Sequence, residues 1–316
     1  MPANELRFFD ADEVGRRLPW DSLIEAIERI VVEPGGEAPD RTVHSVPVPG
    51  GAEASLLLKP GWVVGDVIAI KAVTFFPENG RLGLATVNAG VLLFSASNGT
   101  LIGACDGNVL TTRRTAAASA VAAKRLVRHD AARLLVVGTG ALSPMVARAH
   151  SAVHDYDLIE VWGRNTGKAR EVVDRLTKDG VVALATDDLD AAVSAADVIT
   201  CVTGATTPLI KGALVQAGTH VDLLGSFTPE MRESDDDVVR RATIFADTRT
   251  DGIVAGDLAQ PLADGIITLD TIEADLADLV SGIHPGRTSD DEITMFKSAG
   301  FALEDVAAAR LVFDPR

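Results

Sequence analysis

The sequence predicts an α/β protein: a doubly wound parallel sheet joined to a second, α+β domain. Three observations carry this. From Arg133 onward six short β-branched runs alternate with alanine-rich helical stretches, a glycine-rich turn follows the first run directly, and the first 115 residues mix strands and tight turns without that alternation.

In chain order, Trp20–Val31 (WDSLIEAIERIV) repeats its apolar residues at helical spacing and predicts an amphipathic helix. The runs SLLLK, VIAIKAVTFF, AGVLLFSAS and LIGAC then read as strands broken by PG, ENG and NG turns. TTRRTAAASAVAAKRLV, from Thr111, predicts a long connecting helix whose leading threonines serve as caps. The six alternating strands are RLLVVG (133–138), LIEVWG (158–163), VVALAT (181–186), DVITCV (197–202), HVDLLG (220–225) and TIFADT (243–248). Between the second and third, Ala169, Val172, Val173 and Leu176 share one helical face, as a βαβ crossover requires. SDDEITMFKSAGFALEDVAAARLVF predicts a capped helix ending near Gly300 and a second helix after it, returning the chain's end to the first module. The expected domains are 1–115 with 290–316, and 116–289.

Composition narrows the function. Twenty-nine Lys and Arg stand against 45 Asp and Glu, a formal charge of -16 that repels phosphate backbones and anionic lipid, so neither nucleic acid nor a membrane surface is expected as partner. Cys105 and Cys201 lie far apart, the six histidines show no ligand spacing, and MPANELRFFDADEV has no apolar leader segment. A reduced, cytoplasmic protein without a metal is expected.

Gly138-Thr139-Gly140-Ala141-Leu142-Ser143 is a GxGxxG pattern in its required setting, between a buried strand and a helix, with Ser in the third glycine position. Gly138 permits the tight turn, Gly140 lets a pyrophosphate approach the backbone, and the helix N-terminus offers free N–H groups. At the end of the second strand, where NAD-binding sites usually carry an acid for the ribose 2′-hydroxyl, the sequence reads Gly163-Arg164-Asn165. Arg164, with Lys168 one turn on, can pair with a 2′-phosphate, or else is a solvated arginine; the first reading favours NADPH, with NADH possible through Asn165. In the first module Lys71 lies within VIAIKAVTFF, too apolar a run to bury an unpaired ammonium. Either it meets a protein carboxylate or an anionic ligand, or it reaches water from a strand edge. Arg114, read as opening a helix, opposes that helix's dipole and needs another partner.

The segments KAVTFFPENGRLGLATVNAGVLLF, DGNVLTTRRTAAASAVAAKRL, VVGTGALSPMVARAH, VWGRNTGKA and FKSAGFALEDVAAARLVF resemble the ornithine cyclodeaminase and mu-crystallin family from about residue 40 to the end. The resemblance implies an NAD(P)-dependent homodimer, with a Rossmann NAD(P)-binding domain at 116–289 and a substrate-binding and dimerisation domain at 1–115 with 290–316. By its motif positions, Arg41, Lys71 and Arg114 hold the substrate carboxylate and Thr86 and Asn88 lie near the substrate. Thr139, Ala141, Leu142, Arg164, Asn165, Val202, Thr203, Leu224 and Ser226 face the cofactor.

Two departures separate this chain from the family's cyclodeaminases. Where those look to carry an acid after the strand corresponding to HVDLLG, this sequence has Phe227, and a second acid aligns near Leu58. Expelling ammonia from a diamino acid needs such groups; reducing a cyclic imine needs a held carboxylate, C2 of the ring against the nicotinamide and one proton, with Lys71 as the expected catalytic group. LLGSFTPEMRESDD is also similar to bacterial members that reduce Δ1-pyrroline-2-carboxylate and Δ1-piperideine-2-carboxylate. The expected activity is therefore cyclic-imine (ketimine) reduction; a cyclodeaminase, an alanine or other amino-acid dehydrogenase, and a non-catalytic NADPH-binding protein like mu-crystallin are the alternatives.

Overall fold

The computed structural model describes residues 6–314. The chain forms two compact units, one running up to Arg114 and resuming at Phe301, the other spanning Thr115–Gly300.

The first unit contains β1 (Arg7–Phe9), α1 (Ala11–Arg17), α2 (Trp20–Ile30), β2 (Gly36–Glu37), β3 (Thr42–Val46), β4 (Ala54–Val63), β5 (Val67–Phe75), β6 (Val87–Ser95), β7 (Leu101–Asp106) and the last helix, α10 (Ala302–Phe313). Its sheet runs β1-β7-β6-β5-β4-β2, with β3 paired to β4; β4 to β7 form an antiparallel meander. As its periodicity requires, α2 buries Leu23, Ile24, Ile27 and Ile30. Helix α10 packs against α2 and against β4 and β5. The close approach of α10 needs glycine in the sheet: a Cβ on Gly61 would lie 2.9 Å from that of Ala302, and one on Gly103 would lie 2.4 Å from the Phe313 ring.

Helix α3 (Gly107–Leu126) carries the chain from the first unit into the second. It begins four residues before the expected threonines, because the Asp106 carboxylate accepts from Val109 N at 2.8 Å and serves as the cap. Arg114 therefore lies two turns into the helix rather than at its start.

The second unit is an all-parallel sheet in the order β10-β9-β8-β11-β12-β15-β13-β14. Its strands are β8 (Arg133–Val137), β9 (Leu158–Trp162), β10 (Ala183–Thr186), β11 (Val198–Cys201), β12 (His220–Leu223), β13 (Thr243–Ala246), β14 (Ile272–Asp275) and β15 (Thr294–Lys297). The helices between them are α4 (Ser143–Ser151), α5 (Thr166–Lys178), α6 (Leu189–Ala195), α7 (Asp236–Arg241), α8 (Gly256–Ala263) and α9 (Leu276–Ser281). Leu135, Val137, Ile199, Val221, Leu223 and Met295 form part of a continuous apolar core.

Two strands go beyond the six expected, and one corrects the reading of residues 290–300. TMFK is not a helix but β15, inserted between β12 and β13 with all four residues buried. That segment belongs to the second unit, and the chain returns to the first only at Phe301. The acidic SDDE preceding it imitates a helix cap, whereas a central parallel strand buried on both faces has no alternation to read. No helix of the described residues is long and apolar enough to cross a membrane.

Candidate active site

The doubly wound order reverses between β8 and β11, and the crevice that such a reversal opens at the strand ends is where open α/β sheets bind ligands. A cavity of about 720 Å³ occupies it, lined by Gly138, Thr139, Gly140, Trp162, Gly163, Arg164, Asn165, Lys168 and the segment 202–207. Gly138 has φ +131°, and a Cβ there would lie 2.8 Å from the Val202 carbonyl oxygen. A Cβ on Gly163 would lie 2.4 Å from Thr139 Cγ2, so the two loops meet only through glycine. Gly140 differs: a Cβ there meets nothing within 4 Å, so its missing side chain leaves open space. Helix α4 starts beside it with no side-chain cap, and the Ser143 hydroxyl is buried without a hydrogen-bond partner. The free N–H groups expected at this helix start are not found, since Ser143 N donates to Gly140 O at 3.1 Å, Met145 N donates to Leu142 O at 3.0 Å and Pro144 has no N–H; the orphaned hydroxyl and the glycine floor are what suit a pyrophosphate.

Arg164 and Lys168 stand at the far end of β9, and among the described residues no ion pair to a carboxylate engages either of them. Asn165 caps α5, its Oδ1 accepting from Lys168 N at 3.2 Å, which leaves its amide nitrogen to serve a ribose. Ala141, Leu142, Leu224 and Ser226 do not line the cavity. Leu224 is buried, and the Ser226 hydroxyl donates to Met231 O at 2.8 Å.

The first unit holds a different kind of site. Lys59 and Lys71 are directly opposed on β4 and β5, both buried, on the face covered by α10. Lys71 Nζ donates to Asp305 Oδ1 at 2.8 Å; Arg114 pairs with the same oxygen through Nε at 2.9 Å and with Glu304 through Nη1. Glu304 and Asp305 sit in the first turn of α10, where the helix dipole favours carboxylates. Three cations thus converge on two acids, and Asp305 Oδ2 is buried with no hydrogen-bond partner. Burial, then Arg114, pushes the Lys71 ammonium down to about 7, against the opposing pull of Asp305. Burial alone would raise Asp305, but Arg114, Lys71 and Lys59 together hold its carboxyl below the usual range.

Of the two physical alternatives for Lys71, the protein carboxylate is present. Continuing the β3–β4 register by one residue sets Arg41 opposite Lys59, in line with the row that leads to Lys71. Thr86 is half-buried and accepts from Phe76 N through its carbonyl. Asn88 faces away: paired with Thr74, it lies on the sheet face opposite to Lys71, and its amide donates to Ala85 O at 3.3 Å. Sequence reasoning counted Lys59 among the cations of the first module but gave it no site role, although its apolar run SLLLK asks the same question as Lys71, and it passed over Glu304 and Asp305, two adjacent acids at the start of a largely apolar helix. Among the described residues no cluster of His, Cys, Asp or Glu is arranged to hold a metal.

The ornithine cyclodeaminase/mu-crystallin family model matches residues 9–316. The Δ1-pyrroline-2-carboxylate reductase of Paracoccus denitrificans is 35% identical over 311 residues, covering 97% of this chain and 96% of its own. Among solved structures, the Thermococcus litoralis Δ1-pyrroline-2-carboxylate reductase in complex with NADH and L-proline superposes with a TM-score of 0.91 at 28% identity, over 97% of this chain and 96% of that one. An archaeal alanine dehydrogenase dimer with bound NAD gives a TM-score of 0.90 at 26% identity, over 98% and 95%.

Proposed function

This chain belongs to the ornithine cyclodeaminase/mu-crystallin family, and on that premise we propose that it is an NAD(P)H-dependent reductase of cyclic imine carboxylates, forming L-proline from Δ1-pyrroline-2-carboxylate and L-pipecolate from Δ1-piperideine-2-carboxylate. The carrying observation is the buried cluster in which Lys71 and Arg114 share Asp305, with Lys59 opposite Lys71 on the neighbouring strand. Buried cations gathered in this way suit an anionic substrate, and a guanidinium fixes a planar carboxylate in orientation as well as position. Arg41 and Arg114 clamp the carboxylate; Lys71 stands at the imine nitrogen and supplies the proton that turns it into the amine. When bound, NAD(P)H would supply the hydride for C2. Gly138, Thr139, Gly140 and the start of α4 would hold its pyrophosphate in the second unit, Arg164 and Lys168 would pair with a 2′-phosphate and so favour NADPH, and Asn165 would let NADH serve.

Phe227 and Leu58 stand where a cyclodeaminase would need an acid, which separates this reading from ammonia expulsion. An amino-acid dehydrogenase is the second reading, favoured by the fit to the archaeal enzyme. The protein works as a homodimer in the cytoplasm, a compartment that suits its two buried, unpaired cysteines. Oxidation of NADPH in the presence of either cyclic imine tests the proposal. Turnover with pyruvate and ammonia but not with the imines would shift it to the dehydrogenase, and rapid ammonia release from ornithine would end it.

A further inference from the structure

Glu233 is fully buried in the second unit and takes no part in the chemistry above. Its Oε1 accepts from Thr203 N at 2.7 Å and Thr203 Oγ1 at 2.9 Å; its Oε2 accepts from Gly225 N at 2.8 Å and Ser226 N at 3.3 Å. One carboxylate thereby ties the segment after β11, which lines the cofactor cavity, to the segment after β12. Glycine makes the approach possible: a Cβ on Gly225 would lie 2.1 Å from Thr203 O and 2.5 Å from Glu233 Oε1. The tie is anchored from behind. Asp257 Oδ1 accepts from Glu233 N at 2.7 Å, while Lys297 Nζ donates to Asp257 Oδ2 at 3.1 Å, to Leu223 O at 3.1 Å and to Ser226 O at 2.7 Å.

We propose that Glu233 is a positioning residue for the dinucleotide, holding the Val202–Thr203 edge of the cavity against Gly225–Ser226 so that this wall is in place before the cofactor arrives. The inference rests on the dinucleotide reading of the cavity. Four donors converge on two oxygens, a load that an ionised carboxylate carries and a protonated or amidated one does not, since either then presents a donor of its own. Three groups face Glu233 from other elements: Asp257 from α8, Lys297 from β15, and the Cys201 thiol from β11, itself kept protonated by burial. Burial, then Asp257, pushes Glu233 up to about 7, opposed by Lys297 and the Thr203 bonds. The tie is therefore intact above neutrality and loosens as pH falls.

Binding of NADH, followed by energy transfer from Trp162 in the cavity wall, tests this without turnover. NADH is the probe because it lacks the 2′-phosphate, whose own ionisation near pH 6 would confuse the result. For the wild type, Kd should rise several-fold between about pH 8 and pH 6. Glu233→Gln should weaken binding by about tenfold or more at the upper pH and flatten the dependence. Wild-type affinity in Glu233→Gln, with the pH dependence unchanged, would overturn the role. Should that variant not fold, the wild type decides alone, because a Kd flat across the same range also overturns it. A wild type that binds neither NADH nor NADPH at any pH would instead bring down the dinucleotide reading, and the role with it.

Discussion

Lys71 was legible because of a conflict between neighbours: an ammonium in VIAIKAVTFF cannot be buried unpaired. Its partner was not legible, since Asp305 is 234 positions away and only the packing of α10 on the sheet brings them together. Arg114 was correctly judged to need a partner, for a wrong reason, because the Asp106 cap places it two turns inside its helix. The consequence for catalysis follows from the sign of the shift. With its pKa lowered to about 7, Lys71 carries its proton below that pH and loses it above. As proton donor it gives a kcat that declines as pH rises past about 7. Lys71→Met should lower kcat by on the order of a hundredfold and abolish that alkaline limb, with the KM for the imine changed less. Asp305→Asn removes the one neighbour that favours the charged lysine, so the limb should move to lower pH; a limb that stays put in Asp305→Asn would separate the kinetics from Lys71 ionisation.

Elements were legible where local pattern decides them. The six β-branched runs and the glycine turn after Val137 stand where expected, because a tight strand-to-helix turn leaves few residue choices. β15 was missed because Thr294 and Lys297 disguise a strand whose burial comes wholly from its neighbours in the sheet. The turn yields a contrast between two glycines only two positions apart. Gly138→Ala forces a side chain into φ +131° against Val202 and should cost about 1–3 kcal/mol in stability as well as cofactor affinity. Gly140→Val meets open space, so thermal melting should stay near wild type while NADH and NADPH binding is lost; cofactor binding at wild-type strength in Gly140→Val would remove the pyrophosphate from this turn. At the end of β9, Arg164→Ala should lower the ratio of NADPH to NADH efficiency by about tenfold, and an unchanged ratio would contradict a 2′-phosphate contact there.

At the scale of the whole molecule, the first unit presents a sheet with two unlike faces. The inner face, under α10, buries Val63, Ala69, Val91 and Leu93. On the outer face, cross-strand rows place Pro60, Ile70, Leu92 and Ala104 side by side, with Leu58 and Ala72 on one flank and Trp62, Ile68 and Phe94 on the other. None of these nine is fully buried, Leu92 is 40% exposed, and no charge interrupts them. On the homodimer proposed above, a contiguous apolar sheet face of this kind is the expected association surface, with a second copy of the same face as the partner that two-fold symmetry would supply. Each chain brings a charge of -16 to that encounter, so apolar burial must overcome long-range repulsion that salt screens. The dimer should therefore tighten, not weaken, between about 0.02 M and 0.5 M salt. Ile70→Glu with Leu92→Glu, which puts like charges at the centre of the face, should give a folded monomer by light scattering at micromolar concentration. A wild type that is monomeric under the same conditions, or a double variant that still dimerises, would move the interface elsewhere.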